Sequence, residues 1–306
     1  MVKEKLWLNG KCIDQEQGLI NIATASLHYG TSIFEGILCL KVKSPERRVI
    51  FRMDPHLERM FASAQVLNYK IPFTFGALRL AMIELIKVNH YDSAYIRPII
   101  FEDNAYLSLG ASSNKLNVAI LAKKFNSTLY RWNMRRPAKV CIAGSVINTW
   151  SDELGRAKIS GKYLNSVIAK KEAYRQGADD AIILDRQGYV SEATSGNVFM
   201  VRANVVKTPP RKNTVNGITQ DSVLRILKDL GYTAKEESIL PEELLAADEV
   251  FLTNTAAGIV PVSQIGSRPI CNQSKTSLIK RLRNKYINAL TAQDPHYQEW
   301  LDFIKD

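Results

Sequence analysis

Apolar and polar residues alternate along Lys5-Leu6-Trp7-Leu8 and Lys11-Cys12-Ile13, on either side of Asn9-Gly10. A period of two interrupted by that dipeptide predicts a hairpin with a tight turn. Strands are expected through 34–41 and 48–52, with a polar turn at Ser44-Pro45-Glu46 between them. Asp54-Pro55 then predicts a helix start, with aspartate as the cap and proline at the first helical position. Leu57, Met60, Phe61, Ala64 and Leu67 follow at helical spacing. A further helix over 74–89 turns Leu78, Ala81, Met82, Leu85 and Ile86 inward. Strands at 94–101 and 116–122 complete a first α+β unit.

The stretch 126–137 breaks both periodicities, is rich in polar and basic residues and ends in proline. It divides the chain into an N-terminal domain over 1–126, a linker over 127–137 and a C-terminal domain over 138–306. The second domain is expected to hold a strand at 138–145, a helix near 162–176, a strand at 181–184 and a paired strand carrying Glu192. A strand at 198–201 comes next. A helix then opens at Gly217-Ile218-Thr219, with Thr219 as its cap, Val223, Ile226, Leu227 and Leu230 as its stripe, and Gly231 as its stop. A strand at 249–253 leads into Asn254-Thr255-Ala256-Ala257-Gly258, and a basic amphipathic helix over 274–291 closes the fold. No repeat appears at solenoid periods.

The 306 residues have the composition of a soluble globular protein. The longest apolar runs, such as Val118-Ala119-Ile120-Leu121-Ala122, are too short to span a bilayer, and the first residues carry no export signal. Cys12, Cys39, Cys141 and Cys271 lack Cys-x-x-Cys spacing, and there are four histidines, so neither a metal site nor a disulfide framework is expected. Reduced, mostly buried thiols point to the cytoplasm. The net charge of +11 raises nucleic-acid binding, with Arg131, Arg135, Arg136 and Lys139 as its best support. Basic residues are nevertheless spread over the whole chain without an aromatic-basic motif. A basic surface around a site for anionic ligands is the better reading.

The chemistry is concentrated in two segments. Lys158 stands five residues before Tyr163, in Ala157-Lys158-Ile159-Ser160-Gly161-Lys162-Tyr163. Glu192 follows in Ser191-Glu192-Ala193-Thr194-Ser195-Gly196-Asn197-Val198-Phe199. A lysine among small residues can approach a flat ring, and a half-buried carboxylate can hold a pyridine nitrogen protonated; pyridoxal 5'-phosphate chemistry needs both. Taken alone, each has a plainer reading, a surface lysine or a structural ion pair.

In this order and spacing the segments resemble the fold-type IV aminotransferases, and the branched-chain amino acid group in particular. Leu27-His28-Tyr29-Gly30-Thr31-Ser32-Ile33-Phe34-Glu35-Gly36-Ile37 and Tyr95-Ile96-Arg97-Pro98 strengthen that resemblance. It implies a two-domain α+β fold, transamination between apolar L-amino acids and 2-oxoglutarate, and a homodimer or larger even oligomer. Lys158 becomes the Schiff-base lysine, in preference to Lys162, and Glu192 the partner of the ring nitrogen. Arg59, Tyr163, Gly217, Ile218, Thr219 and Thr255 are implied as further cofactor residues. Tyr29, Phe34, Tyr95, Arg97, Tyr130, Tyr163, Thr255 and Ala256 are implied around the substrate. Tyr95 and Arg97, two apart on a strand, face the same side. D-amino acid aminotransferase and aminodeoxychorismate lyase share the fold and the lysine, and a non-catalytic nucleic-acid-binding protein is the distant alternative. The resemblance departs at Gln220, where a basic residue is expected, and at Ser127, about where a tryptophan is.

Overall fold

Asn9 and Gly10 take φ values of 47° and 97°, which close β1 (Lys5–Leu8) onto β2 (Lys11–Asp14) in the expected hairpin. The computed structural model describes residues 3–43, 46–102, 109, 115–126, 136–150, 152–270 and 277–304. The linker expected at 127–137 lies outside them except for Arg136 and Pro137, as do Ser127, Tyr130, Arg131, Arg135 and Cys271. Two compact units emerge, residues 1–127 with 157–162 and 289–306, and residues 128–156 with 163–288. The expected division is a single cut, whereas two later segments, one of them carrying Lys158, belong with the first unit.

In the first unit α1 (Ala25–Tyr29) precedes β3 (Ile33–Phe34), β4 (Ile37–Lys43) and β5 (Glu46–Phe51). Two helices follow, α2 (Met53–Val66) and α3 (Phe75–Val88), and then β6 (Ala94–Glu102) and β7 (Leu116–Lys124). The sheet is antiparallel throughout, in the order C-terminal strand (Leu301–Ile304), β5, β4, β6, β7, β1, β2, with β3 also on β6. β3 and β4 continue one register along β6, since Phe34 opposes Ile99 and Ile37 opposes Ile96. Their separation has a local cause at Pro98. The Glu35 N–H donates to the Pro98 carbonyl at 2.9 Å, but proline has no N–H to return.

α2 and α3 cover one face of this sheet. Leu57, Met60, Leu78, Ala81, Met82, Leu85 and Ile86 pack with Ile33, Ile37, Ile96 and Ile100 in one buried cluster. The start of α2 differs from expectation. Its flanking residue is Arg52, at φ 54°, and Asp54 lies within the first turn. The C-terminal segment decides this: the Arg52 N–H donates to the Trp300 carbonyl at 2.7 Å and its guanidinium lies 4.9 Å from the Trp300 ring.

The second unit holds β8 (Ala138–Asn148), α4 (Asp152–Arg156), α5 (Tyr163–Arg175), β9 (Asp180–Asp185), β10 (Val190–Ala193), β11 (Asn197–Arg202) and β12 (Val205–Thr208). After them come α6 (Ile218–Asp229), β13 (Ala234–Glu236), α7 (Pro241–Leu245), β14 (Glu249–Asn254), β15 (Gly258–Ile265), β16 (Arg268–Pro269) and α8 (Leu278–Leu290). Its sheet runs β10-β9-β8-β15-β14-β11-β12-β13, with β16 beside β15. β8 is parallel to both its neighbours. Phe199 and Phe251 stack at 4.8 Å on adjacent strands. At α6 the flanking residue is Gly217, whose carbonyl accepts the Asp221 N–H at 2.9 Å. Thr219 is buried inside the first turn and does not cap the helix. No helix among the described residues is long and apolar enough to cross a membrane.

Two leucines on α3 separate burial from helix propensity. Leu85 is fully buried and Leu80 is 68% exposed. Leu85→Ala should cost about 2–5 kcal/mol, and Leu80→Ala within about 0.5 kcal/mol, read from urea unfolding midpoints. Equal losses would mean that α3 does not pack through this stripe.

Candidate active site

The alternation of β3, β4 and β6 sorts the motif residues onto two faces. Ile33, Glu35 and Ile37 point into the helix-covered face. Phe34 and Gly36 point the other way, beside Tyr95 and Arg97. The Arg97 guanidinium lies 4.8 Å from the Phe34 ring and 5.3 Å from the Tyr95 ring, and its Nη2 donates to the Tyr95 hydroxyl at 3.1 Å. Its Nε is buried and has no hydrogen-bond partner among the described residues. Gly36 makes room for this pair, because a Cβ there would lie 1.9 Å from the Tyr95 hydroxyl oxygen.

The segment with Lys158 is attached to the same unit by its backbone. Phe34 N–H donates to Lys158 O at 3.3 Å, Ser160 N–H to Ser32 O at 2.8 Å and Gly161 N–H to Gly30 O at 2.7 Å. The Lys158 N–H donates to Ser63 Oγ at 2.9 Å, and that hydroxyl donates to Arg59 O at 2.8 Å. The Lys158 amine is thereby brought to 5.0 Å from the Phe34 ring. Burial first, then the Arg59 charge, push it down to about 8, against the opposing pull of Glu35. Lys162 behaves otherwise: it is buried and its amine turns back to donate to Ala157 O at 3.0 Å.

Behind this face Glu35 is fully buried. Arg59 grips it with two hydrogen bonds of 2.7 Å, Nε to Oε1 and Nη2 to Oε2. His56 Nδ1 donates to Oε2 at 2.8 Å. Burial by itself would raise the Glu35 carboxyl, but the Arg59 charge and these hydrogen bonds hold it well below the usual range. Burial lowers the His56 imidazole, so Glu35 accepts from a neutral ring carrying its proton on Nδ1.

In the second unit the signature residues are gathered around Asn197. Its amide Nδ2 donates to Val215 O at 3.1 Å, and a Cβ on Gly217 would lie 2.0 Å from its Oδ1. Asn197 also pairs with Thr253 across β11 and β14. The start of β11, the turn before α6 and the β14–β15 hairpin carrying Thr255 and Ala256 are therefore neighbours. Ile218 and Thr219 occupy the first turn of α6, where backbone N–H groups lack partners within the helix and favour an anion. Glu192 is half-buried on β10 just past a register shift, and Thr194 donates to Asp180 Oδ1 at 2.5 Å. Gln220 is buried; its amide nitrogen donates to Thr208 Oγ1 at 3.2 Å, while its Oε1 has no hydrogen-bond partner among the described residues. Tyr163 begins α5.

The family description "Amino-transferase class IV" matches residues 32–265. The chain belongs to the class IV aminotransferases. Over 300 residues it is 30% identical to the branched-chain-amino-acid aminotransferase of Pseudomonas aeruginosa, covering 98% of this chain and 97% of that one. The crystal structure of a branched-chain aminotransferase from Thermoproteus uzoniensis with norvaline superposes with a TM-score of 0.92 at 31% identity, covering 99% and 100% of the two chains. That of the branched-chain amino acid aminotransferase from Thermobaculum terrenum, in its PLP-bound holo form, gives 0.90 at 26% identity, covering 99% of each.

Of the expected site residues of this aminotransferase, Lys158, Phe34, Tyr95, Arg97 and Arg59 meet in the first unit. Tyr29 lies exposed at the end of α1. Glu35, His56 and Ser63 escaped the sequence reading as site residues. The signal for Glu35 was present, a charge between Ile33 and Ile37 on an apolar face, with His56 and Arg59 three apart on the next helix.

An amine held near 8 is half uncharged there, whereas an ordinary lysine is almost wholly protonated. Acetylation of Lys158, followed by mass spectrometry against pH, should rise with an inflection near 8. Lys162, buried with its amine turned to the Ala157 carbonyl, should be acetylated far less than Lys158. A Lys158 profile like that of an exposed lysine would overturn the burial and charge argument.

Proposed function

We propose that this aminotransferase exchanges amino groups between branched-chain or related apolar L-amino acids and 2-oxoglutarate, with pyridoxal 5'-phosphate as cofactor. The observation that carries the reading is one strand face with an apolar wall at Phe34 and a cation at Arg97 beside the Lys158 amine. A site that accepts an apolar donor and an acidic acceptor in turn needs both. The relatives named as branched-chain aminotransferases favour this substrate over those of D-amino acid aminotransferase or aminodeoxychorismate lyase.

The residues fit the cofactor. A lowered amine at Lys158 suits an aldehyde, and the α6 N-terminus with its neighbouring Thr255 loop suits a phosphate. When bound, the cofactor supplies an electrophilic carbon and an electron-accepting ring. Lys158 Nζ would bind that carbon and, once released by the incoming amine, carry a proton to and from the substrate α-carbon. Glu192 would keep a proton on the ring nitrogen. Arg59, the Ile218 and Thr219 N–H groups and Thr255 would hold the phosphate, and Tyr163 would contact the cofactor. Arg97 and Tyr95 would meet the second carboxylate of glutamate or 2-oxoglutarate, with Tyr29, Tyr130 and Ala256 bordering the substrate. A homodimer or larger even oligomer in the cytoplasm completes the reading. The exposed Leu27 and Tyr29 are consistent with it.

Borohydride reduction of the enzyme with pyridoxal 5'-phosphate, followed by peptide mapping, should place the pyridoxyl group on Lys158; a label on Lys162 would overturn the assignment.

Arg97→Leu should lower kcat/KM for glutamate and 2-oxoglutarate by about 10- to 100-fold, the worth of a charge-assisted hydrogen bond, with a much smaller loss for leucine. Equal losses for all three would mean that Arg97 serves the α-carboxylate or the fold instead.

A further inference from the structure

Glu35 places a carboxylate on a strand face that is otherwise buried and apolar. Its neighbours on the same strand face, Ile33 and Ile37, are fully buried hydrocarbons, and burying a carboxylate between them is costly. The side-chain hydrogen bonds its carboxylate accepts come from α2. Oε1 and Oε2 each accept from Arg59 at 2.7 Å, and Oε2 also accepts from His56 at 2.8 Å and from the Gly36 N–H at 3.3 Å. One turn along α2, Ser63 joins the Lys158 N–H to the Arg59 carbonyl. The main chains of the arginine and the lysine are thus joined through the Ser63 hydroxyl, while the arginine side chain is held by Glu35.

The groups that act on the Lys158 amine come from three directions: Arg59 and neutral His56 on α2, Tyr95 and Arg97 on β6, and Glu35 after β3. Among them two guanidinium cations are set against one carboxylate. We propose that Glu35 is a positioning residue of the transamination site, holding the Arg59 fork in place and offsetting its charge beside the Lys158 amine. This rests on the reading of Lys158 as the reacting amine. Glu35 touches neither substrate nor cofactor in this role and acts through Arg59.

Glu35→Gln keeps the shape and one acceptor oxygen but removes the charge. In the full chain freed of cofactor, the inflection of Lys158 acetylation should fall by about one pH unit or more, because two cations then act unopposed. A merely structural role predicts the opposite sign, since loosening admits water and returns the amine toward an ordinary lysine. An inflection that stays at the wild-type value, or rises, overturns the proposal. Should Glu35→Gln fail to fold, the Glu35→Gln, Arg59→Gln double variant removes both charges without leaving either one buried and unpaired. Its inflection should stay within about half a unit of wild type, and a rise of more than one unit overturns the proposal. The acetylation profile reports on Glu35 whatever the borohydride label shows, so failure here is distinct from failure of the transamination reading.

Discussion

A carboxylate on the core face of a strand has to be paired, and pairing Glu35 organises the first unit around one point. Arg59 can reach it only if α2 lies across β3 and β4 with its Arg59 side inward, and His56, one turn earlier, then falls on the same carboxylate. Removing one partner of such a buried pair typically costs about 3–5 kcal/mol, because the other charge is left stranded. The ion pair therefore fixes the rotation of α2 more strictly than the leucine and methionine stripe around it, which could slip at lower cost.

From that rotation the placement of Lys158 follows. Ser63, one turn beyond Arg59, presents the hydroxyl that receives the Lys158 N–H, while Ile159 bridges to Ile33 and Gly161 to Gly30. Backbone bonds thus attach the lysine segment to the strand that carries Phe34. The low proton affinity of the amine is a consequence of this attachment, since burial and Arg59 act on it only where the backbone holds it.

The second unit solves a similar problem with neutral groups. Asn197, on the first residue of β11, holds the turn before α6 by a single amide, and Gly217 has no side chain to collide with it. The close approach of the turn to the strand sets where α6 begins, and so where its unpaired N–H groups lie. Thr219, which could have capped the helix, is instead buried within its first turn, and no side chain among the described residues caps that end.

Much of this was legible in the chain itself. The Asn9-Gly10 hairpin, the α3 stripe and most strands follow from local periodicity and turn chemistry, which act over a few residues. The order and spacing of Lys158, Tyr163 and Glu192 pointed to the reaction, and Tyr95 with Arg97 to a shared face. What the chain could not express alone were relations between distant segments. Arg52 rather than Asp54 flanks α2 because Trp300, some 250 residues away, holds it. Lys158 belongs with the first unit because its backbone pairs with residues 30–34, although it follows the first strand of the second. Glu35 stood out as a charge in an apolar alternation, but which cation would meet it depended on the packing of α2. Hydrogen bonds and charges between remote residues have no period along the chain, so only the tertiary structure decided them.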